Sequence, residues 1–328
     1  MEFALLLFFV FLLDALLGDP QTRFHPVALF GCLAGKVETL CRKCFGNGIV
    51  SGVIAWSCLT VPAVLLAWGA VKFAGQWDEL PAFLLAGILL YFTVALKSLT
   101  DHAERIREAL ERGDLPEARR ALSMIVSRDT EKLSASDVAR GAIESLGENL
   151  TDAVTSAFFW AFLGYLAGGL PGAAAGAVFL RAINTLDACW GYRNERYLLF
   201  GRMAARADDA VHCLPARLTL LVIAVVSPLT GGNPLQTLKT GLRDGASHPS
   251  PNSGYGMAAF AGALDLRLGG PTVYPGEVEN YPYWGTGRAS LTPEDIRRAE
   301  HLTRISGFLF LLFLAGMHGV WQTVCSLW

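Results

Sequence analysis

Long apolar runs constrain this chain more than any other feature of its sequence. A helix that crosses a bilayer needs about 20 mostly apolar residues. Six apolar segments approach or exceed that length, and they lie at 1–17, 52–75, 82–98, 153–187, 216–231 and 304–328. Residues 153–187 are long enough for two helices joined at 168–172, whereas 216–231 is short for a clear span. We therefore predict a mainly α, polytopic integral membrane protein with cytoplasmic helical and loop insertions.

The composition agrees with a membrane protein. Hydrophobic residues make up 52% of the 328 residues and charged residues 17%, against about 25% charged residues in ordinary soluble domains. The net charge of −2 gives no support for nucleic-acid binding. The seven cysteines are odd in number and scattered, which argues against a disulfide framework. The first apolar run has no basic start and no small-residue cleavage site, so we interpret it as a retained membrane helix.

The basic residues indicate how the first half of the chain is oriented. Residues 97–141 carry nine Lys or Arg, whereas the short 72–81 link carries only Lys72. Positively charged loops tend to stay on the cytoplasmic side of a membrane. We therefore predict that 18–51 and 97–152 are cytoplasmic and that the protein belongs to the cytoplasmic, or inner, membrane.

The expected organisation is one membrane-embedded domain, 1–328, with two polar additions. The first is a cytoplasmic helical insertion at 97–141, in which two short amphipathic helices are broken at Gly113-Asp114. The second is a polar loop region with small helices at 232–303. No β-rich segment is expected.

Three carboxylates stand immediately before the long apolar run. Glu144, Glu148 and Asp152 are spaced four residues apart, so they form one stripe if 141–153 is helical. Like charges on one stripe repel unless a cation lies between them. The stripe is either a solvated surface, partly neutralised by Arg140, or a functional cluster at the membrane edge.

A second concentration of polar residues follows the same apolar run, at 183–219. The adjacent Asp208 and Asp209 suit magnesium, which takes one or two carboxylates together with substrate phosphate oxygens. The alternative is a helix N-cap pair. His212 is a possible ligand, although a lone histidine is more often structural.

Three further clusters lie near the ends of apolar segments. The first combines Asp19 and His25 in "LLGDPQTRFHPV", and the second is Arg128-Asp129. The third is a Pro- and Gly-rich turn before a small-residue helix, at 244–277, which would present hydroxyls and backbone N–H groups to phosphate. A purely structural turn explains the third cluster equally well.

Several standard catalytic motifs are absent from the sequence. It contains neither GxxxxGK[ST] nor GxGxxG, so no standard nucleotide-binding loop is present, and it lacks HExxH and GxSxG. The residues alone therefore predict a membrane-embedded, magnesium-dependent enzyme that acts on a phosphorylated substrate.

The longer motifs resemble one known family. "DALLGDP", "HPV", "SRDT", "ESLGENLTDAVTSAFFW", "NTLDACWGYRNERYLLFG", "ADDAVHCLPARLT" and "HPSPNSG" occur in the order seen in the adenosylcobinamide-phosphate synthase family. The resemblance covers about residues 12 to 290, nearly the whole chain. It implies a membrane enzyme that uses ATP and Mg²⁺ to join adenosylcobyric acid, a corrinoid, to aminopropanol phosphate or ethanolamine phosphate through an amide.

The resemblance also suggests roles for individual residues. Candidate catalytic residues are His25, Glu144, Glu148, Asp208 and Asp209, with His25 as a proton carrier. Candidate ligands of Mg²⁺ are Asp152, Asp187, Asp208 and Asp209. Candidate substrate- and phosphate-binding residues are Arg128, Asp129, Asn184, Tyr192, Arg193, Arg217, His248, Asn252 and Ser253.

Two positions depart from the expected family pattern. Met257 stands where a carboxylate is expected, and His212 stands where Asn is expected after the paired Asp. Two alternative functions are a magnesium-dependent transferase of the prenyl or CDP-alcohol type and a non-catalytic corrinoid-binding or transport protein. Expected partners are the two small-molecule substrates and the lipid bilayer, together with pathway enzymes or a second copy of the chain.

Overall fold

The computed structural model describes residues 1–20, 22–274 and 277–326, and it confirms the mainly α membrane fold. In chain order the helices are α1 Glu2–Leu17, α2 Pro26–Phe45, α3 Ile49–Ala74, α4 Glu79–Tyr91, α5 Leu96–Glu111, α6 Leu115–Ser123, α7 Ala135–Leu150, α8 Ser156–Trp190, α9 Arg202–Val226, α10 Pro234–Asp244, α11 Ser253–Leu264 and α12 Pro293–Cys325. Strands β1 Leu268–Tyr274 and β2 Glu277–Trp284 lie between α11 and α12.

The chain divides into two compact units. The first unit comprises residues 1–95, 156–212 and 311–328, and the second comprises 96–155 and 213–310. Both predicted insertions, 97–141 and 232–303, fall within the second unit. All seven cysteines are free, which confirms that no disulfide framework holds the fold.

The first unit is built around α3 and α8, with α1, α2 and α4 packed against them. The α8 segment is a pair of helices, because Gly168 and Gly169 leave helical geometry and Gly169 has a positive φ of 59°. The two halves approach so closely that a Cβ on Gly172 would overlap the carbonyl of Gly164. Only glycine allows this contact, and the predicted turn at 168–172 is thereby confirmed.

Five helical segments of the described chain are long and apolar enough to cross a membrane: Ile49–Ala74, Glu79–Glu111, Ala135–Trp190, Arg202–Thr230 and Pro293–Cys325. We expected a short segment at 216–231, but the helix that contains most of it starts 14 residues earlier, at Arg202. The helix begins at Arg202, because alanine-rich "RMAARADDAVH" favours helix and carries its polar residues on one face. Most of the polar connection predicted at 183–219 is therefore helical.

The second unit packs α5, α6 and α7 together and places α11 against α7 and α10. The predicted break at Gly113-Asp114 is confirmed, since the Asp114 side chain caps α6 by accepting from the Glu117 N–H at 3.0 Å. A Cβ on Gly256 of α11 would overlap the carbonyl of Gly147 of α7. The small residues of α11 therefore allow a close helix contact, and Met257 is buried there.

The antiparallel pair β1–β2 corrects the expectation of no β-rich segment. The segment is rich in Val, Tyr and Trp, which favour strands. Its central Pro-Gly, at 275–276, is typical of a hairpin connection but lies outside the described residues. The positive φ of Gly269, 77°, accompanies a bulge between Gly269 and Pro271.

Candidate functional site

Carboxylates of α8 and α9 form an acidic cluster in the first unit. Asp187 of α8 interacts electrostatically with Asp208 and Asp209 of α9. The buried His212, one turn after Asp208, places its Nδ1 3.2 Å from Asp208 Oδ2. The predicted residues Asp187, Asp208 and Asp209 therefore come together, and His212 contacts their cluster.

The acidic cluster fits magnesium in one particular way. Among residues 1–20, 22–274 and 277–326, no three His, Cys, Asp or Glu side chains converge well enough to hold a metal ion by themselves. Magnesium, however, is commonly held by one or two carboxylates together with substrate phosphate oxygens. Asp208 and Asp209, supported by Asp187, supply carboxylates of that kind, and the bound ion would neutralise phosphate charge.

A chain of polar contacts leads from the acidic cluster along α8. The Asn184 amide donates to Asp208 Oδ1 at 3.4 Å, and Arg181 Nη1 donates to Asn184 Oδ1 at 3.1 Å. Arg181 Nη2 also donates to the Thr93 carbonyl. Sequence reasoning missed Arg181, although an arginine inside an apolar run is itself a functional signal because it is costly in a membrane.

Arg181 lines a cavity of about 350 Å³ within the first unit. The polar side chains around this cavity are those of Asp19, Thr22, His25, Thr93 and Arg181. We call it the Arg181–Asp19 cavity. It presents a guanidinium and a carboxylate in one cavity, so it is complementary to a small molecule that carries both a negative and a positive charge.

The Asp19 end of the cavity is held in place by its neighbours. His25 Nε2 lies 2.9 Å from Asp19 Oδ1, and His25 Nδ1 accepts from the Val27 N–H at 3.2 Å, capping α2. The preceding Gly18 has a positive φ of 64°, and its carbonyl accepts from the buried Tyr91 hydroxyl. Both nitrogens of His25 thus lie close to polar groups of the protein, and Asp19 is the better candidate for contact with a positively charged group.

In the second unit, Glu144 is surrounded by donors. Its buried carboxylate lies 2.7 Å from Arg128 Nη2 and accepts from the Gly269 N–H at 2.8 Å. Arg140 Nε is 3.9 Å away, and Arg140 Nη1 donates to the Gly269 carbonyl at 2.8 Å. Glu144, itself paired with Arg128, therefore anchors the start of β1 through the Gly269 N–H.

The predicted stripe of three carboxylates is only partly supported by the helix geometry. Helix α7 ends at Leu150 and a π-helical turn, Thr151–Thr155, follows it. Residues five apart are hydrogen-bonded in such a turn, so the four-residue spacing holds only for Glu144 and Glu148. Asp152 lies on the π turn and is half-buried.

The turn at 248–253 is tightly organised. His248 Nδ1 accepts from the Ser250 N–H at 2.9 Å, and its ring stacks on Tyr281 with an interplanar angle of 9°. Burial lowers the pKa of His248, and Glu148 and Glu144 oppose that effect. Ser253 begins α11 and donates to Ser250 Oγ at 3.3 Å.

Arg217 is already engaged with the same turn. Its Nη1 donates to the buried Asn252 Oδ1 at 2.6 Å, and its Nη2 donates to the Pro251 carbonyl at 3.2 Å. The guanidinium also lies 4.2 Å from the centre of the Tyr255 ring. These contacts hold the turn together, so Arg217 supports Asn252 at the N-terminus of α11.

The remaining predicted residues lie in two loops. Asp129 donates its N–H to the Val273 carbonyl at 2.9 Å and caps the next turn through the Glu131 N–H. Tyr192 and Arg193 are exposed on the segment between α8 and α9. Arg193 acts electrostatically on Asp209, which connects this segment with the acidic cluster.

Comparison with known proteins gives a consistent result. The family model described as CobD/Cbib protein matches residues 7–303. Proteins named "Cobalamin biosynthesis protein CobD" are similar over most of their length. The relative from Desulfotalea psychrophila is 39% identical over 95% of this chain and 97% of its own. The relative from Stutzerimonas stutzeri is 42% identical over 88% of each chain.

A third relative, from Leptospira interrogans, is 36% identical over 92% of this chain and 93% of its own. No solved structure matches the chain. Both the family match and these identities extend across nearly the whole sequence, including the acidic cluster and the Arg181–Asp19 cavity. The protein therefore belongs to the CobD/Cbib family.

Proposed function

We propose that this protein is an ATP-dependent amide ligase of cobalamin biosynthesis. It would join adenosylcobyric acid to an amino-alcohol phosphate, aminopropanol phosphate or ethanolamine phosphate, and release adenosylcobinamide phosphate. The names of its relatives support the pathway. The observation that carries the proposal is the Arg181–Asp19 cavity, whose opposite charges match a molecule with a phosphate at one end and an ammonium group at the other.

The chemistry requires activation of a carboxylate. A carboxylate is a poor acyl donor because its leaving group would be oxide. Transfer of a phosphoryl group from ATP to the corrinoid carboxylate would give an acyl phosphate. The amine would then form the C–N bond while the C–O bond to phosphate breaks. Magnesium at Asp208 and Asp209 would neutralise phosphate charge during this sequence.

The cavity residues would position the amine and remove its proton. Arg181 is suited to a phosphate because a guanidinium forms paired, charge-assisted hydrogen bonds. Asp19 would hold the ammonium group and accept the proton that must leave before the nitrogen can attack. His25 would keep the Asp19 carboxylate in place. Because Arg181 also donates to Asn184, which donates to Asp208, the phosphate-binding end of the cavity and the acidic cluster would be held in a fixed relation.

The active face is proposed to be cytoplasmic. Residues 18–51, which include His25, lie in a basic segment, and the positive-inside rule favours the cytoplasm for such segments. ATP is supplied on that side. Labelling of a cysteine introduced at Thr22, in membranes of known orientation, would test this placement.

The ligase proposal is tested by product formation. Detergent-purified protein is given adenosylcobyric acid, an amino-alcohol phosphate and Mg·ATP, and each component is omitted in turn. Amide product that needs all of them is expected. Corrinoid binding without product or ATP consumption would instead support a non-catalytic binding protein.

Two variants examine the cavity directly. Asp19→Asn should lower kcat by about 10²- to 10⁴-fold, the usual contribution of a positioned acid or base. Arg181→Gln should chiefly raise KM for the amino-alcohol phosphate. Asp78→Asn is the matched control, because Asp78 is exposed and only caps α4. Wild-type kinetics in both cavity variants would reject the proposed amine site.

A further inference from the structure

A second cavity of the first unit has a different chemical character. It measures about 440 Å³ and is lined by the segment between α8 and α9 and by the beginning of α9. Its charged and aromatic lining residues are Tyr192, Arg193, Tyr197, Arg202, Arg206 and Asp209. The volume falls within the range of about 300–1,000 Å³ that is typical of small-molecule sites. We call it the arginine cavity.

The charge of this cavity is strongly one-sided. Three guanidinium groups face one carboxylate, so the lining carries an excess of two positive charges. Arg202, Arg206 and Asp209 stand four and three residues apart on α9, which places them along one face of the helix. Helix geometry therefore aligns these three side chains, and Arg193 lines the same cavity from the segment before α9.

The arginines of this cavity also differ from several exposed arginines that are paired with carboxylates. Arg120, Arg243 and Arg297 each lie 2.6 to 2.7 Å from a carboxylate oxygen. In the described part of the chain, Arg193, Arg202 and Arg206 form no ion pair within 4.0 Å and donate no side-chain hydrogen bond. Their donors remain available to an anion.

Hydrogen bonds to α2 hold one wall of the arginine cavity in place. Buried Glu38 of α2 accepts from Arg42 Nε and Arg196 Nη2, both at 2.9 Å, and from the Tyr197 hydroxyl at 3.3 Å. Arg42 also donates to the Arg196 carbonyl at 2.8 Å. Tyr197, which lines the cavity, is thus tied to a helix, so the segment that carries Arg193 is positioned before any ligand binds.

We propose that the arginine cavity binds the polyphosphate of a nucleoside triphosphate as its magnesium complex. This inference rests on the ligase proposal above and assigns Arg202 and Arg206, together with Arg193, as its phosphate-binding residues. Three guanidinium groups suit several phosphate oxygens. Asp209 lines this cavity and also belongs to the acidic cluster. The bound phosphates would therefore lie beside the carboxylates that are proposed to hold magnesium.

An amino-alcohol phosphate fits the arginine cavity less well. Its ammonium group needs a carboxylate of its own, and the single carboxylate that lines this cavity, Asp209, already interacts electrostatically with Arg193 and His212. The magnesium complex of ATP carries a net charge of −2, which balances the lining. The cavity and the Arg181–Asp19 cavity would therefore take the two different phosphorylated substrates.

The inference is tested by binding rather than by turnover. Calorimetry on the full-length protein in neutral detergent measures binding of the magnesium complex of a non-hydrolysable ATP analogue, of magnesium tripolyphosphate and of phosphoethanolamine. The test variant is R202Q/R206Q. The control is R112Q/R120Q, which removes the same charge from exposed surface residues of the second unit. Arg193→Gln, outside α9, is a second test variant in case the double variant does not fold.

The expected result is specific to polyphosphate. R202Q/R206Q should raise Kd for the nucleotide analogue and for tripolyphosphate by at least about 100-fold, since each of the two lost charge-assisted contacts commonly costs tenfold or more. Arg193→Gln should raise both by about tenfold, and neither variant should change phosphoethanolamine binding. Unchanged nucleotide affinity in the folded test variants would overturn the proposal.

Two further results separate the possible sources of error. Stabilisation by added phosphatidylglycerol that requires Arg202 and Arg206, without nucleotide binding, would show a lipid headgroup site and overturn the inference. Nucleotide binding through these arginines without amide formation would reject the ligase proposal but keep the cavity assignment. Amide formation with an unchanged KM for ATP in R202Q/R206Q would reject the cavity assignment but keep the ligase proposal.

Discussion

Replacing Glu144 by Gln should destabilise the fold rather than alter the metal requirement of the enzyme. The side chain of Glu144 is 4% exposed, and its partners Arg128 and Arg140 are 15% and 17% exposed. Gln keeps the shape and an acceptor for the Gly269 N–H. It leaves Arg128 without the carboxylate 2.7 Å away.

The expected loss follows from the burial of this pair. Removing one partner of a buried ion pair typically costs about 3–5 kcal/mol because the remaining charge is left uncompensated. Since Arg128 keeps some solvent contact, we expect the lower end, about 3 kcal/mol. That loss corresponds to a decrease in Tm of roughly 6–12 °C for a unit of 150–250 residues.

The assay is unfolding in mixed detergent micelles, followed by circular dichroism at 222 nm. Glu108→Gln is the matched control, because Glu108 is 51% exposed and its ion pair with the exposed Arg112 is long, at 3.9 Å. Its expected effect is below about 1 kcal/mol. In E144Q/R128M the loss should be smaller than the sum of the two single losses by at least about 1 kcal/mol.

One outcome would refute the anchoring role of Glu144. If Glu144→Gln leaves stability within about 0.5 kcal/mol of wild type and raises the Mg²⁺ concentration needed for activity, Glu144 acts on the metal. The sequence-based assignment of Glu144 as a catalytic carboxylate would then be supported instead.

Two other predictions concern the fold and its pH dependence. Gly172→Val should disrupt the helical pair of α8, because its Cβ would overlap the Gly164 carbonyl, whereas Gly69→Ala has open space and should leave the melting temperature unchanged or raise it. A folded, fully stable Gly172→Val protein would contradict this contact. His248 has a lowered pKa when folded, so the unfolded chain binds its proton more readily. Stability should therefore be complete above about pH 6.5 and decline as the pH falls below it. His248→Gln should flatten that decline in Tm measured against pH, and an unchanged slope would exclude His248 as its cause, leaving Glu148, Glu144 and Glu279 as the groups to examine.

The parts of the fold that were predictable from sequence depend on local signals. The helical class follows from apolar run length, and the turn at 168–172 follows from its glycines and proline. The break at Gly113-Asp114 follows from a glycine, which readily adopts a positive φ, and an aspartate, which favours the N-cap position. In contrast, no change in composition marks the π turn after Leu150, and the first turns of α9 are too polar to be detected as part of an apolar run.

The site was predictable in part for the same reason. Asp187, Asp208 and Asp209 could be grouped because they flank one short connection. Arg181 and Thr93, which both line the cavity and are hydrogen-bonded to each other, are 88 positions apart, and no spacing rule links them. The hydrogen bond from the Gly269 N–H to Glu144 joins positions 125 residues apart, so it is equally non-local and could not be predicted from the sequence.

The central claim, activation of the corrinoid carboxylate through an acyl phosphate, is tested most directly by isotope transfer. Adenosylcobyric acid labelled with ¹⁸O in its free carboxylate is incubated with the protein, Mg·ATP and an amino-alcohol phosphate. The account predicts one labelled oxygen in the inorganic phosphate released and the other in the amide product. Label in AMP would replace the acyl phosphate by an acyl adenylate, and amide formed without nucleotide consumption, or no amide at all, would contradict the ligase.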